Sequence, residues 1–500
     1  MEGSRSRRPG SRRAYPDSWE SNGCGRRLAE AARSRLRRRS AGLLRLCAGT
    51  RILRAERGAA TRSARSAVEG RMSTGLILNA VVLGVGMHPG AWRYRRDEAF
   101  SSLGLPFYRE LGRTAEAGCL HALFLADTLA VGEENFERPN LGAVDPLLAL
   151  AAIADATTHL GLVGTASTTY NEPFSLARRV STLDHLSGGR AGWNVVTTFV
   201  PDVAANFGDA PLPAPASRYA RAEEFVDVVR ALWQSWSPRA LVGDKAAGVF
   251  VDAAQVHVID HRGEHFSVRG PATLPPSPQG SPVLFQAGSS EAGRALAART
   301  ADAVFTAQNT LAGAQAFRAD IRARARAFGR DPDRVAVLPG LLAVLGGTEA
   351  QARERKRELD ALAGDAELRK LALRVGVPVD ALELDKPLPF DAIRANTAFK
   401  GSEGFRRAAL ELGLQENLTV REILYRNGGG HLQVVGTPEQ VAATIETWHR
   451  EQGCDGFNLM IDVLPEGLAD FTQHVIPHLQ KRGLFRSEPV GTTLRSNLGL

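Results

Sequence analysis

Strand-like and helix-like segments alternate along this chain from residue 76 to its end, and that regularity constrains the fold more than any other feature. Eight apolar, β-rich stretches begin near residues 76, 121, 160, 191, 283, 301, 335 and 456, and the stretches between them carry helical spacing. HALFLAD is followed by DPLLALAAIADAT, LGLVGTAS by PFSLARRVSTLDHLS, and AGWNVVTT by RYARAEEFVDVVRALWQSW. Eight βα units in series predict the α/β class, specifically a (β/α)8 TIM barrel. Three stretches break the rhythm, near 199–217, 237–281 and 365–435. They are expected to be insertions, the second holding an antiparallel hairpin and the third helical, and insertions in a barrel shape the substrate mouth.

The overall charge of +8 divides unevenly. Residues 1–71 hold nineteen Arg and no Lys against six acids, a net of +13, which leaves −5 for the remainder. The body has no basic stripe with interleaved aromatics, so no nucleic-acid partner is expected. Low-complexity Arg/Ser/Ala/Gly sequence cannot bury enough apolar surface to offset chain entropy, so residues 1–71 are expected to be a disordered leader. Such a leader fits an Arg-rich transit peptide, a secretion signal whose apolar run is broken by Arg45, or a start assigned too early. The third reading is favoured, with Met72 as the true start and 72–500 as one enzyme-like domain. No run of eighteen apolar residues exists, so no membrane span is expected. Outside the leader only Cys119 and Cys454 remain, far apart. They predict no disulfide framework, no Cys-type metal site and a reduced, cytoplasmic setting.

The chemistry concentrates at strand ends. In SPVLFQAGSSEAG, from Ser281, an apolar run ends in Gly288-Ser289-Ser290 and a helical pattern follows at once. That arrangement aims N–H groups and hydroxyls at one point on the positive end of a helix, a phosphate site. A serine that only caps the helix would look the same. GVGMHPG lacks the third glycine of a dinucleotide fingerprint, so direct nicotinamide binding is not expected. His88 and Trp92 instead follow the first strand, where they are candidates for lining a substrate pocket, as is His431 after Asn427-Gly428-Gly429-Gly430. HRGEH, from His261, spells an inverted zinc-peptidase order, yet Gly263 and the alternation after it argue for a strand or turn, and no metal is expected. Asp127 ends the second strand and can ligate a ligand or cap a turn. Thr165, Ser167, Thr168 and Tyr170 crowd the third strand's end without a strong base, and no G-x-S-x-G elbow is present.

FLADT, TASTTYNEPFSLARRVSTLDHLSGGRAGWNVVTT, RYARAEEF, HRGEHFSVRGP, SPVLFQAGSSEAG and the C-terminal DGFNLM…LPEGLADFTQHVIPHLQKRGLFR together resemble the luciferase-like flavin monooxygenases. The likeness is specifically to the group of nitrilotriacetate, dibenzothiophene-sulfone and long-chain alkane monooxygenases, and it runs from about Thr74 to Leu500. It implies a TIM barrel that takes reduced FMN from a separate NAD(P)H:flavin reductase. With O2 this gives a flavin hydroperoxide that oxygenates a small organic substrate. It implies flavin contacts at Asp127, Thr165, Tyr219 and Ser289, with Ser290 beside the phosphate, and a homo-oligomer is expected. Many relatives carry histidine four residues before the tyrosine, where this chain has Pro215. A deazaflavin-dependent hydride-transfer enzyme of the same barrel type, and a flavin-binding protein without turnover, are the alternatives.

Overall fold

Eight parallel strands close on themselves in the computed structural model, which describes residues 75–131, 144–208, 211–397, 399, 401–426 and 430–500. They are β1 (Ile77–Val82), β2 (Ala122–Leu125), β3 (Gly161–Ser167), β4 (Ala191–Val196), β5 (Val283–Gln286), β6 (Ala303–Thr306), β7 (Ala336–Leu345) and β8 (Gly456–Met460). Each pairs with its sequence neighbour, and β8 returns to β1 through Ile77↔Gly456 and Asn79↔Asn458. The barrel anticipated from the alternation is therefore the barrel observed, strand for strand. The leader 1–71 and the proposed start at Met72 lie outside the described residues.

The pleat sorts each strand into two sets of side chains. Ile77, Val81, Phe124, Val163, Phe285 and Leu338 form one cluster inside the barrel. Leu78, Ala80, Leu123, Leu162 and Trp193 belong to a second cluster that packs outward on the helices. Burial on both faces explains why these strands read as continuous apolar runs. The inner cluster also takes in Leu494 and Leu498 from the last turn of the chain. Leu494 packs where a side chain at Gly161, at the start of β3, would sit. The bottom of the barrel is thus plugged by the C-terminal segment, and its other end is left for the site.

Helices α1 (Leu105–Ala117), α2 (Pro146–Ala156), α3 (Pro173–Leu186), α4 (Pro215–Trp233), α5 (Glu291–Thr300), α6 (Leu311–Ala327), α7 (Glu349–Ala363) and α8 (Pro438–Arg450) follow from local signals. Asp145 caps α2 by accepting from Leu148 N–H at 3.0 Å. Thr348 and Thr437 open α7 and α8 with capping boxes. Buried Asp455, just before β8, accepts from Arg318 on α6 at 2.7 Å and from Val337 N–H at 2.8 Å, tying helix, β7 and β8 together.

Two segments differ from the sequence expectation. Residues 237–281 hold two small antiparallel pairs, Leu241–Asp244 with Val249–Val251 and His261–Arg262 with Ser267–Val268, where one hairpin was expected. The stretch expected as helical insertion through residue 435 ends in a strand, Leu432–Gly436, paired with the far half of β7. β7 has room for this extra partner because β6 ends at Thr306, opposite Pro339, and leaves the edge from Leu341 to Leu345 free. The helices of this insertion surround a small core of their own, around Leu371, Ile393, Leu412 and Ile423. Among the described residues, no helix is long and apolar enough to cross a membrane.

Candidate active site

At the C-terminal ends of β4, β5 and β6 lies a cavity of about 890 Å3. The loop after β4, the segment before helix Glu403–Gln415 and that helix's first turn wall it in, adding Phe199, Phe399 and Phe405 to Phe305 of β6. Ser289, Ser290, Tyr219, Pro215 and His431 all line it.

The turn after β5 is built by glycines. A Cβ on Gly288 would lie 2.8 Å from Gly293 Cα, and one on Gly293 would lie 2.9 Å from the Tyr219 hydroxyl. Only without those side chains can α4 bring Tyr219 against the start of α5. Ser290 then does the capping, accepting from Gly293 N–H at 3.1 Å and donating to Tyr219 Oη at 3.2 Å. With Ser290 Oγ as its donor, Tyr219 keeps its own O–H for a further acceptor. Ser289 Oγ has only a 3.4 Å contact with Thr306 Oγ1, long for a bond between hydroxyls. The two serines therefore differ in what they do in the fold: Ser290 is the cap, and Ser289 keeps a hydroxyl with no closer partner than Thr306. Gly404 packs so closely on Ser289 that a Cβ there would lie 2.6 Å from the serine Cβ. The insertion helix thus walls in the same turn.

His431 enters from the strand-end side, stacked on Phe305 at 5.3 Å and edge-on to Phe405 at 5.2 Å. Burial, with Arg374 and Lys370 nearby, pushes its pKa down to about 3, so the ring is neutral near pH 7. His88 lies elsewhere: it is buried, accepts from Gly90 N–H at Nδ1 and meets Asp360 of α7 at 3.1 Å through Nε2. Lys356 holds the same carboxylate at 2.6 Å. Trp92 is 42% exposed on a four-residue helix. Neither His88 nor Trp92 lines the cavity beside Ser289.

Asp127 follows β2 and Thr165 lies within β3, next round the barrel, and neither lines that cavity. Burial raises the Asp127 carboxyl to about 6, against an opposing N–H from Thr128. Thr165 accepts from Asn194 of β4 at 3.0 Å, which leaves its own proton to donate. Ser167 and Thr168 are spent on the neighbouring strand, the first 2.7 Å from Thr198 Oγ1 and the second donating to Val196 O. The HRGEH histidines serve architecture: Glu224 on α4 accepts from His261 at 2.9 Å and from the His265 and Phe266 N–H groups. Arg218 was overlooked in sequence, although it precedes Tyr219 in RYARAEEF; it is 7% exposed and lines the cavity.

Against known families, residues 88–455 match the luciferase-like monooxygenases. The chain belongs to that family. This luciferase-like monooxygenase is 43% identical over 432 residues to N-acetyl-S-(2-succino)cysteine monooxygenase of Bacillus subtilis (strain 168), covering 85% of this chain and 96% of the relative. It is 42% identical over 430 residues to nitrilotriacetate monooxygenase component A of Aminobacter aminovorans, covering 83% and 94%. Among solved structures it is similar to a riboflavin lyase with modified FMN and riboflavin, at TM-score 0.75 and 32% identity, covering 85% of this chain and 96% of that one.

Proposed function

We propose that this luciferase-like monooxygenase is the oxygenating half of a two-component system. It takes reduced FMN from a separate NAD(P)H:flavin reductase and uses O2 to oxygenate a small organic substrate. The observation that carries the FMN assignment is the turn Gly288-Ser289-Ser290: a free serine hydroxyl and a tyrosine O–H meet at the N-terminus of the ten-residue helix α5. A phosphate gains there from the helix dipole and from the hydroxyl donors. The cavity, at about 890 Å3, lies near the top of the range of roughly 300–1,000 Å3 usual for small-molecule sites. It has room for more than the cofactor alone.

Bound reduced FMN supplies the electrons and the site of oxygen activation, so the protein needs no strong base of its own. The chain's residues do the rest. Asp127 and Thr165, on the strands next round from that cavity, would offer an acceptor and a donor to the cofactor's polar ring. Phe305, Phe399 and Phe405 keep water away from the reacting centre. His431, uncharged, exchanges hydrogen bonds with substrate and carries no proton charge into the site. That one relative is named as component A supports the separate reductase. Relatives named as monooxygenases favour oxygen transfer over the hydride-transfer alternative.

The test is turnover with a generic flavin reductase, NADH and a substrate panel under 18O2. Labelled oxygen in the product, with no NADH oxidation by the isolated chain, is the expected result. Substrate-dependent NADH oxidation by the chain alone sinks the two-component reading.

A further inference from the structure

Two of the cavity's aromatic rings have a guanidinium behind them. Arg406 Cζ lies 4.6 Å from the centre of the Phe399 ring, over its face, and Arg374 Cζ lies 5.4 Å from that of Phe405. Both phenylalanines line the cavity and neither arginine does, so each ring stands between a cation and the ligand space. Phe399 is also pinned in place: a Cβ on Gly376 would lie 2.6 Å from its Cδ2, and one on Gly401 2.5 Å from its Cζ. Arg406 is held there in turn, donating to the carbonyls of Ile393 and Asn396 and facing Glu403 at 3.5 Å. Phe405 meets His431 edge-on, and His431 lies nearly parallel on Phe305, so the three rings make a corner. The neutral His431 brings no charge to it. Of the described lining residues, the acids Asp202 and Glu403 are solvent-exposed, and the one arginine, Arg218, stands beside Tyr219 and the turn read above as the phosphate site.

A ring attracts a cation through the negative potential of its face, and a guanidinium already on one face weakens that attraction on the other. What such a face still takes is a flat, uncharged group in offset stacking, which also gains from leaving water. A charged group laid against these rings would give up water with no partner to replace it. We infer that the substrate presents an uncharged planar ring to the wall formed by Phe399 and Phe405, and that these two residues select it. That the ring belongs to a substrate rests on the oxygenase reading above; the stacking site itself rests on the two phenylalanines and the arginines behind them.

The experiment titrates the FMN-loaded chain by calorimetry at pH 7 with three probes that share one ring system: 2-naphthol, 2-naphthoate and 2-naphthylmethylammonium. FMN is kept saturating because it brings flat rings of its own. The wild type should bind 2-naphthol about tenfold or more tightly than either charged probe. Phe399→Ala and Phe405→Ala should each lose about five- to a hundredfold in 2-naphthol affinity, the range for removing one stacking partner. Phe405→Tyr should keep that affinity, and Phe405→Leu, which fills the space without a ring, should not. FMN affinity should stay as in the wild type throughout, which damage to the fold would not allow. The inference is overturned if a charged probe binds as tightly as 2-naphthol, or if the wild type binds none of the three. It is also overturned if the alanine variants leave 2-naphthol binding unchanged, or if Phe405→Leu binds it as well as Phe405→Tyr. Parallel weakening of FMN and 2-naphthol overturns it too, because the rings then belong to the cofactor's seat or to the fold. Should the chain take no FMN while 2-naphthol, titrated alone, still depends on both rings, the FMN reading fails and the stacking site stands.

Discussion

The imidazole of His431 occupies the space that a side chain at Gly340 would fill, since a Cβ on Gly340 would lie 2.2 Å from its Nδ1. The long middle strand β7 thus carries a glycine where an insertion residue, folded back over the barrel mouth, comes to rest. Gly340→Ala should push the ring off Phe305 and cost about 1–3 kcal/mol, the usual range for overpacking a filled site. Urea unfolding should register the loss, and turnover should fall with it. A variant as stable and active as the wild type would mean that His431 has other places to go.

Ser289→Ala removes one hydroxyl but leaves the N–H groups of the α5 terminus, so FMN affinity should fall about tenfold, the low end for a charge-assisted bond. Ser289→Asp sets a negative charge against the phosphate and should be far worse. Anaerobic titration with reduced FMN, and with riboflavin as the control without phosphate, separates the two effects. Equal weakening of both flavins by Ser289→Asp would refute the phosphate assignment.

Asp127 gives a pH signature. Its carboxyl is raised to about 6 in the fold from an ordinary value of 3.8, so between those values the folded chain binds more protons than the unfolded one. Stability contributed by this group therefore falls as pH rises from about 4 to about 6, and stays low above that. Asp127→Asn should match the wild type below pH 4 and be the more stable protein at pH 8, with the gap opening across that window. Denaturant midpoints at a series of pH values, taken without ligand, measure it. A gap that does not change with pH would exclude the raised carboxyl.

Asp455 is the joint between α6, β7 and β8, with its side chain 7% exposed beneath Arg318. Asp455→Ala leaves a nearly buried guanidinium and the Val337 N–H without their acceptor. A loss of about 3–5 kcal/mol is expected, as for breaking one side of a buried pair. Calorimetry on the variant decides it; a loss below about 1 kcal/mol would put this pair with ordinary surface bridges.

What could be read from the chain alone was whatever is local. A strand, a small-residue turn and a helix are neighbours in sequence, so Ser289 and Ser290 announced themselves, as did all eight barrel strands. Tyr219 came from a family motif, and the charge beside it was passed over because a single arginine on a polar helix carries no pattern. His88 and Asp360 are 272 residues apart, and nothing in either neighbourhood forecasts their meeting. The seats at Gly340 and Gly404 depend on how residues 365–435 fold back over the mouth. The strand Leu432–Gly436 was missed for a related reason: it is short, follows a glycine run, and exists because β7 has an edge to offer.

The seam between β1 and β8 also sets an order in time. Asn79 and Asn458 share a side-chain hydrogen bond across 379 residues of chain. At about 5–20 residues per second, a ribosome leaves β1 waiting roughly 20–75 seconds for the strand that covers its open edge. Until then the half-made barrel exposes an unpaired strand edge, which is the form most open to misassembly. How fast this protein is made therefore bears on its yield as directly as any residue in its core.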